Sequence, residues 1–151
     1  LTMYDYVNEI VKSFQDITQK KFIINYDQNS NLLKINKSVE IVYGLRNFIG
    51  NANKFAKDKI FITIKSDSNF TEIIIEDDGE GYPKDVLNKI GEPYITSYKS
   101  SNKVKSGLGL GIFIGKTLLE KNYANISCKN SQTKKGAEVN IKWNNKDLLN
   151  V

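Results

Sequence analysis

Two short runs hold residue types that could do chemistry. In Asp77-Asp78-Gly79-Glu80-Gly81 a carboxylate, Asp77, stands at the end of the strand-like run Ile73-Ile74-Ile75-Glu76. In Ser106-Gly107-Leu108-Gly109-Leu110-Gly111-Ile112 a glycine hinge directly precedes a helical segment. Exposed backbone N–H groups at such a helix start hold phosphate oxygens well. A carboxylate to read a base and a glycine-hinged helix start to hold a phosphate tail together point to a nucleotide site. Either run alone would say little, because glycine-rich turns are common.

A third group lies upstream. Ser38 is a fitting N-cap for a helix over 39–56, whose Ile41, Leu45, Phe48, Ala52 and Phe55 form an apolar stripe for a core. Asn47, Asn51 and Lys54 fall at i, i+4 and i+7 and form a second stripe beside it. Amide oxygens suit Mg²⁺, a hard ion that keeps several waters beside nucleotide phosphates, and Lys54 would add positive charge. Alone, the three read better as a polar face meeting solvent. The two glycine runs downstream tip the balance toward a ligand.

These groups must be positioned by a modest scaffold. The chain has 151 residues, 40% hydrophobic and 26% charged, the profile of one globular domain. It begins with Leu1 and is expected to be a piece of something longer, which leaves room for a membrane-anchored parent. No apolar run approaches the length that crosses a bilayer. Apolar spacing predicts a helix over 3–14, and Phe22–Tyr26 reads as a strand, with Leu32–Ile35 as a second short one. Lys59–Lys65 and Phe70–Glu76 read as a hairpin across Asp67-Ser68-Asn69, and 107–121 as a helix. Ala124–Lys129 and Ala137–Trp143 complete the set as strands. The polar stretch from Gly91 to Ser106 reads as a long loop, either functional or disordered. The expected class is α+β, a mixed, largely antiparallel sheet with helices on one face.

Composition removes whole classes of function. The chain has no histidine, so His-dependent triads, His metal sites and imidazole acid–base chemistry are absent from it. One cysteine, Cys128, can form neither an internal disulfide nor a thiolate zinc site, and it favours a reducing compartment. The net charge of +5 is spread over scattered lysines, with Arg46 the single arginine, which argues against nucleic-acid binding.

The ordered set Asn47…Asn51-Ala52…Lys54-Phe55, then Asp77-x-Gly79-x-Gly81, then Gly107-Leu108-Gly109-Leu110, resembles the catalytic ATP-binding domain of bacterial sensor histidine kinases, relatives of the gyrase, Hsp90 and MutL ATPases. Gly91-Glu92-Pro93-Tyr94-Ile95-Thr96, with Phe113-Ile114 and Lys116–Glu120, is most similar to the RegB/PrrB branch. The resemblance implies a Bergerat-type fold over 1–151: a two-layer α/β sandwich with a mixed sheet of about five strands and helices on one face. It implies ATP and Mg²⁺ as cofactors, with Asn51 as metal ligand assisted by Asn47. Asn47 and Lys54 would be the catalytic pair, Lys54 near the phosphates. Phe55 would lie near the ribose or base, and Asp77 would accept from the adenine amino group. Gly79 and Gly81 would let backbone pass close to the base. Ser106, Gly107, Leu108, Gly109 and Leu110 would form the hinge of a phosphate lid. The implied partners are the dimerisation and phosphoacceptor domain of the parent kinase and a downstream response regulator, all in the cytoplasm.

Water-activating members of that superfamily carry a glutamate base where this chain has Asn47, which takes no proton at neutral pH. That favours transfer to an external acceptor, with the protein positioning and neutralising charge. Two rival readings are an anti-sigma-factor-type serine kinase and a regulatory module that binds nucleotide without transfer. The sequence departs from the family pattern at Lys105 and Ala137, where a glycine and a hydroxyl residue are usual, and at Gly91. Gly111–Thr117 imitates a P-loop with one residue too few between its glycines, and reads instead as a packed helix face. Cys128 reads as a core thiol, and Asp78 and Glu80 as solvent-facing turn residues.

Overall fold

Thr2 opens the first helix with a reciprocal capping box: its hydroxyl accepts from the Asp5 N–H, and the Asp5 carboxylate accepts from the Thr2 N–H. Helix α1 (Met3–Gln15) buries Met3, Tyr6, Val7, Ile10 and Val11. A computed structural model describes residues 1–26, 33–87 and 108–149, with the side chains of 108–111 left out. The elements that follow are β1 (Lys21–Tyr26), α2 (Val39–Phe55), β2 (Lys59–Ser66), β3 (Phe70–Asp77), α3 (Lys84–Leu87), α4 (Leu108–Glu120), β4 (Asn125–Asn130), β5 (Ala137–Asn144) and α5 (Asn145–Leu148).

The five strands form one mixed sheet in the order β1-β2-β3-β5-β4. β1 runs parallel to β2 across the α2 crossover, and the other neighbours are antiparallel. Period-two alternation turns Ile60, Ile62, Ile64, Ile73, Ile75, Val139, Ile141 and Trp143 toward the helices, where all are buried. The opposite face carries Glu72, Glu76, Asn140 and Lys142, and no described helix covers it. This is the expected two-layer arrangement, with the layers sealed by apolar burial.

Helix α2 is the central pillar. Ser38 caps its start by accepting from the Ile41 N–H at 3.3 Å. At its other end the Lys20 ammonium donates to the carbonyls of Asn53 and Lys54, a cation at the negative pole of the helix dipole. α2 and α4 approach closely. A Cβ on Gly115 would lie 2.7 Å from the Phe48 ring, and one on Gly44 2.5 Å from Leu119 Cγ.

One expected strand is absent. Of Leu32–Ile35, Leu32 lies outside the described residues. Lys34 makes an isolated antiparallel bridge to Thr2, and the Ile35 N–H donates to the Leu1 carbonyl at 2.7 Å. The pairing cannot lengthen because its partner turns into α1 at Met3. The P-loop imitation is helix, as read: Ile112–Thr117 sits inside α4 with Ile112 fully buried, but Ile114 is exposed and Lys116, expected to be solvated, pairs with Glu120 one turn on.

Candidate functional site: a cavity between α2 and the β3 and β5 strand ends

Asp77 is the last residue of β3 and only 3% exposed. Strand alternation aims it inward with Ile73 and Ile75, so a polar side chain occupies a core position at the sheet's end. Its Oδ1 accepts from the Gly79 N–H at 2.9 Å and the Ala137 N–H at 3.3 Å. The Asp77 carbonyl accepts from the Gly136 N–H at 3.0 Å. A Cβ at Gly136 would fall 2.0 Å from Oδ1, so only glycine lets the two segments meet. Burial pushes the Asp77 carboxyl pKa up, against the pull of the Gly79 and Ala137 N–H groups. Among the described residues Oδ2 has no hydrogen bond.

That carboxylate lines a cavity of about 460 Å³. Phe48, Asn51, Ala52 and Phe55 of α2 form one wall, and Ile75, Ala137 and Val139 of the sheet form the floor. Gly81, Tyr82 and Pro83 close a third side. Apolar walls with a few converging polar groups are the usual character of a small-molecule site. The Asn51 side-chain nitrogen is buried with no hydrogen-bond partner. An orphaned buried amide costs free energy unless a ligand satisfies it.

Four of the expected site residues thus meet at one cavity: Asn51, Phe55, Asp77 and Gly81. Gly79 stands just behind it, where a Cβ would strike the Phe55 carbonyl at 2.2 Å. Asn47 and Lys54 share the α2 face but are not part of the lining. The Asn47 side-chain nitrogen donates to the Tyr43 carbonyl at 2.7 Å, which fixes the carboxamide one turn before Asn51. Lys54 is exposed, its ammonium 5.6 Å from the Phe55 ring centroid. Ser106 and Gly107 lie outside the described residues, as does the Gly91–Ser106 loop. Leu108, Gly109 and Leu110 form the first turn of α4.

Other residues near the site behave differently from the sequence reading. Asp78 is a clamp as well as a turn residue. Its carboxylate accepts from the N–H groups of Lys57, Asp58 and Lys59 at 2.8–3.2 Å, fixing the turn between α2 and β2. Burial pulls its pKa upward, but those donors prevail and hold it below the ordinary range. Tyr82 and Asn130 were not singled out by sequence reasoning at all. Asn130 is exposed and has no motif around it, so no local signal marks it. Cys128 is half-buried, and burial pushes its thiol up to about 11 despite a Tyr82 hydrogen bond and Lys116. It is therefore a protonated, unreactive thiol at neutral pH. No cluster of Asp, Glu or Cys among the described residues could hold a metal by itself.

The histidine kinase-, DNA gyrase B- and HSP90-like ATPase family model matches residues 36–147. The chain belongs to that family. Among curated relatives of this ATPase family, sensor histidine kinase RegB of Cereibacter sphaeroides is 38% identical over 97 residues, covering 61% of this chain and 21% of RegB. Sporulation kinase A of Bacillus subtilis is 31% identical over 99 residues, covering 64% of this chain and 15% of that kinase. The chain thus spans about a fifth or less of the length of these relatives. Solved histidine-kinase domains share the fold. The catalytic domain of histidine kinase ThkA superposes with a TM-score of 0.76 at 18% identity, covering 95% of this chain and 92% of that one. Mycobacterial sensor histidine kinase MprB gives 0.75 at 16% identity, covering 95% and 96%. The expected resemblance to sensor kinases, RegB among them, and the expected sandwich fold are both borne out.

Proposed function

We propose that residues 1–151 are one ATP-binding catalytic domain of a sensor histidine kinase, and that the cavity beside Asp77 receives the adenine. The observation that carries this reading is the divided Asp77 carboxylate. Oδ1 is spent on two backbone N–H groups, and Oδ2 is left as an acceptor at the cavity wall. A fixed acceptor in an apolar slot suits the amino edge of adenine and repels the carbonyl edge of guanine. When bound, ATP supplies the γ-phosphoryl group, and Mg²⁺ offsets charge on its phosphates.

The residues present fit both groups. The unpartnered Asn51 side-chain nitrogen, at the cavity on the α2 side, would donate to a phosphate oxygen, and the oxygen of the same carboxamide suits a hard cation. Asn47, pinned through its nitrogen, would offer its oxygen to the same ion. Phe55 and Ile75 exclude water from the base, and Lys54 adds charge at the end of α2 toward the phosphates. Asn47, one turn before Asn51, takes no proton at neutral pH and cannot deprotonate water. The reading is therefore phosphoryl transfer to a histidine on a separate dimerisation domain of the parent, with a response regulator downstream. Among the described residues no helix is long and apolar enough to cross a membrane.

Calorimetric titration with Mg-ATP, ADP and GTP tests the site. ATP and ADP should bind, and GTP should bind at least about tenfold more weakly, a difference of about 1.4 kcal/mol. Equal affinity for ATP and GTP would refute the role of Asp77. Mixing the chain with its dimerisation helices and labelled ATP tests transfer, and binding without labelling would point to the regulatory module.

A further inference from the structure

We propose that Asn130 is a positioning residue for nucleotide binding, holding the Gly81–Tyr82 backbone where it frames the base. The inference rests on the ATP-site reading above. Asn130 is the last residue of β4, the strand at the sheet edge beyond β5. Its Oδ1 accepts from the Tyr82 N–H at 2.6 Å, and its Nδ2 donates to the Tyr82 carbonyl at 3.0 Å. Two reciprocal bonds to one residue's backbone are what an adjacent strand would provide. Here a side chain takes the place of a strand, across 48 positions of sequence.

The fit leaves little slack. Gly81 adopts φ +81°, and a Cβ there would lie 2.7 Å from Asn130 Oδ1. Gly81 and Tyr82 both line the cavity, and Tyr82 is only 9% exposed. Upstream, the segment is anchored by Asp78 on the 57–59 amides and by the Gly79 N–H on Asp77. Downstream of Gly79, both polar groups of the Tyr82 backbone go to Asn130. Without that tie the backbone of the third side loses both hydrogen bonds at Tyr82, and the buried Tyr82 side chain with its bond to Cys128 is left to hold it. Asn130 does not line the cavity, so it acts through Tyr82 and Gly81.

The experiment is an ATP and GTP titration of the 151-residue chain and its variants, with hydrogen exchange read at the Tyr82 amide. Asn130→Ala should weaken ATP binding by about tenfold, narrow the preference for ATP over GTP, and speed exchange at Tyr82. Asn130→Asp keeps an acceptor for the Tyr82 N–H and should recover part of the loss; it carries the test if Asn130→Ala does not fold. Lys129→Ala, on the same strand but in contact with Glu138, should bind ATP as the parent chain does. A role in stability alone would lower the melting temperature and leave the ATP-to-GTP ratio unchanged. That result, or an ATP affinity within twofold of wild type, overturns the inference. Wild-type chain that binds no ATP would instead overturn the site reading, and the inference with it.

Discussion

Asp77 meets two opposing demands. Folding would favour a neutral group at a position 3% exposed, whereas the proposed recognition of a base needs an acceptor. Because burial raises its pKa, the folded state holds the proton more tightly than the unfolded chain does. Stability therefore falls as pH rises above the ordinary value of 3.8 toward the raised folded value, and the penalty is complete above it. Asp77→Asn keeps an oxygen for the Gly79 and Ala137 N–H groups and removes the buried charge. Urea unfolding should find it at least as stable as wild type at pH 7, with the gap closing as pH drops toward 3.8. Calorimetry on the same variant should find ATP binding weakened by about thirtyfold, on the order of 2 kcal/mol. Asp77, Asn51, Phe55 and Gly81, which line the cavity, were legible in the sequence because each stands in a short motif that resembles the pattern of the sensor-kinase domain. Asn130 and Gly136 were not, since their partners lie 48 and 59 positions away or the need arises only from close approach.

At the level of elements, the three long helices and the hairpin strands were readable from caps and periodicity, both local properties, whereas the one-turn α3 and α5 were not. Thr2 and Ser38 set the starts of α1 and α2, and alternation set β2, β3 and β5. The failed strand at Leu32–Ile35 has enough apolar character but lacks a partner of matching length. The short α5 was missed because it is held from a distance: the Asn145 side chain accepts from Thr71 and donates to the Asp67 carbonyl. The join between α2 and β2 depends on Asp78. Asp78→Ala leaves three amides without their acceptor and should cost about 2 kcal/mol in urea unfolding at pH 7. Since the folded-state pKa of Asp78 is lowered, that stabilisation is present above 3.8 and disappears as pH falls through the folded value. The variant's deficit should shrink accordingly in acid.

For the whole molecule, the absence of histidine limits what the domain can do alone. Incubated with labelled ATP and no other protein, the chain should carry no acid-labile, base-stable phosphate, as read by gel autoradiography. Appearance of such a label would refute the proposed role as donor to a separate acceptor. The sheet order has a further consequence for how the chain is made. β5 leaves the ribosome after the other four described strands, yet it lies inside the sheet, between β3 and β4. Until it arrives, a nascent chain displays the bare margin of β3, rich in isoleucine and open to pairing with another copy. The floor of the cavity, Ala137 and Val139, is missing for the same interval. Premature termination after β3 is complete but before residue 137 would therefore yield a product prone to clump through that margin.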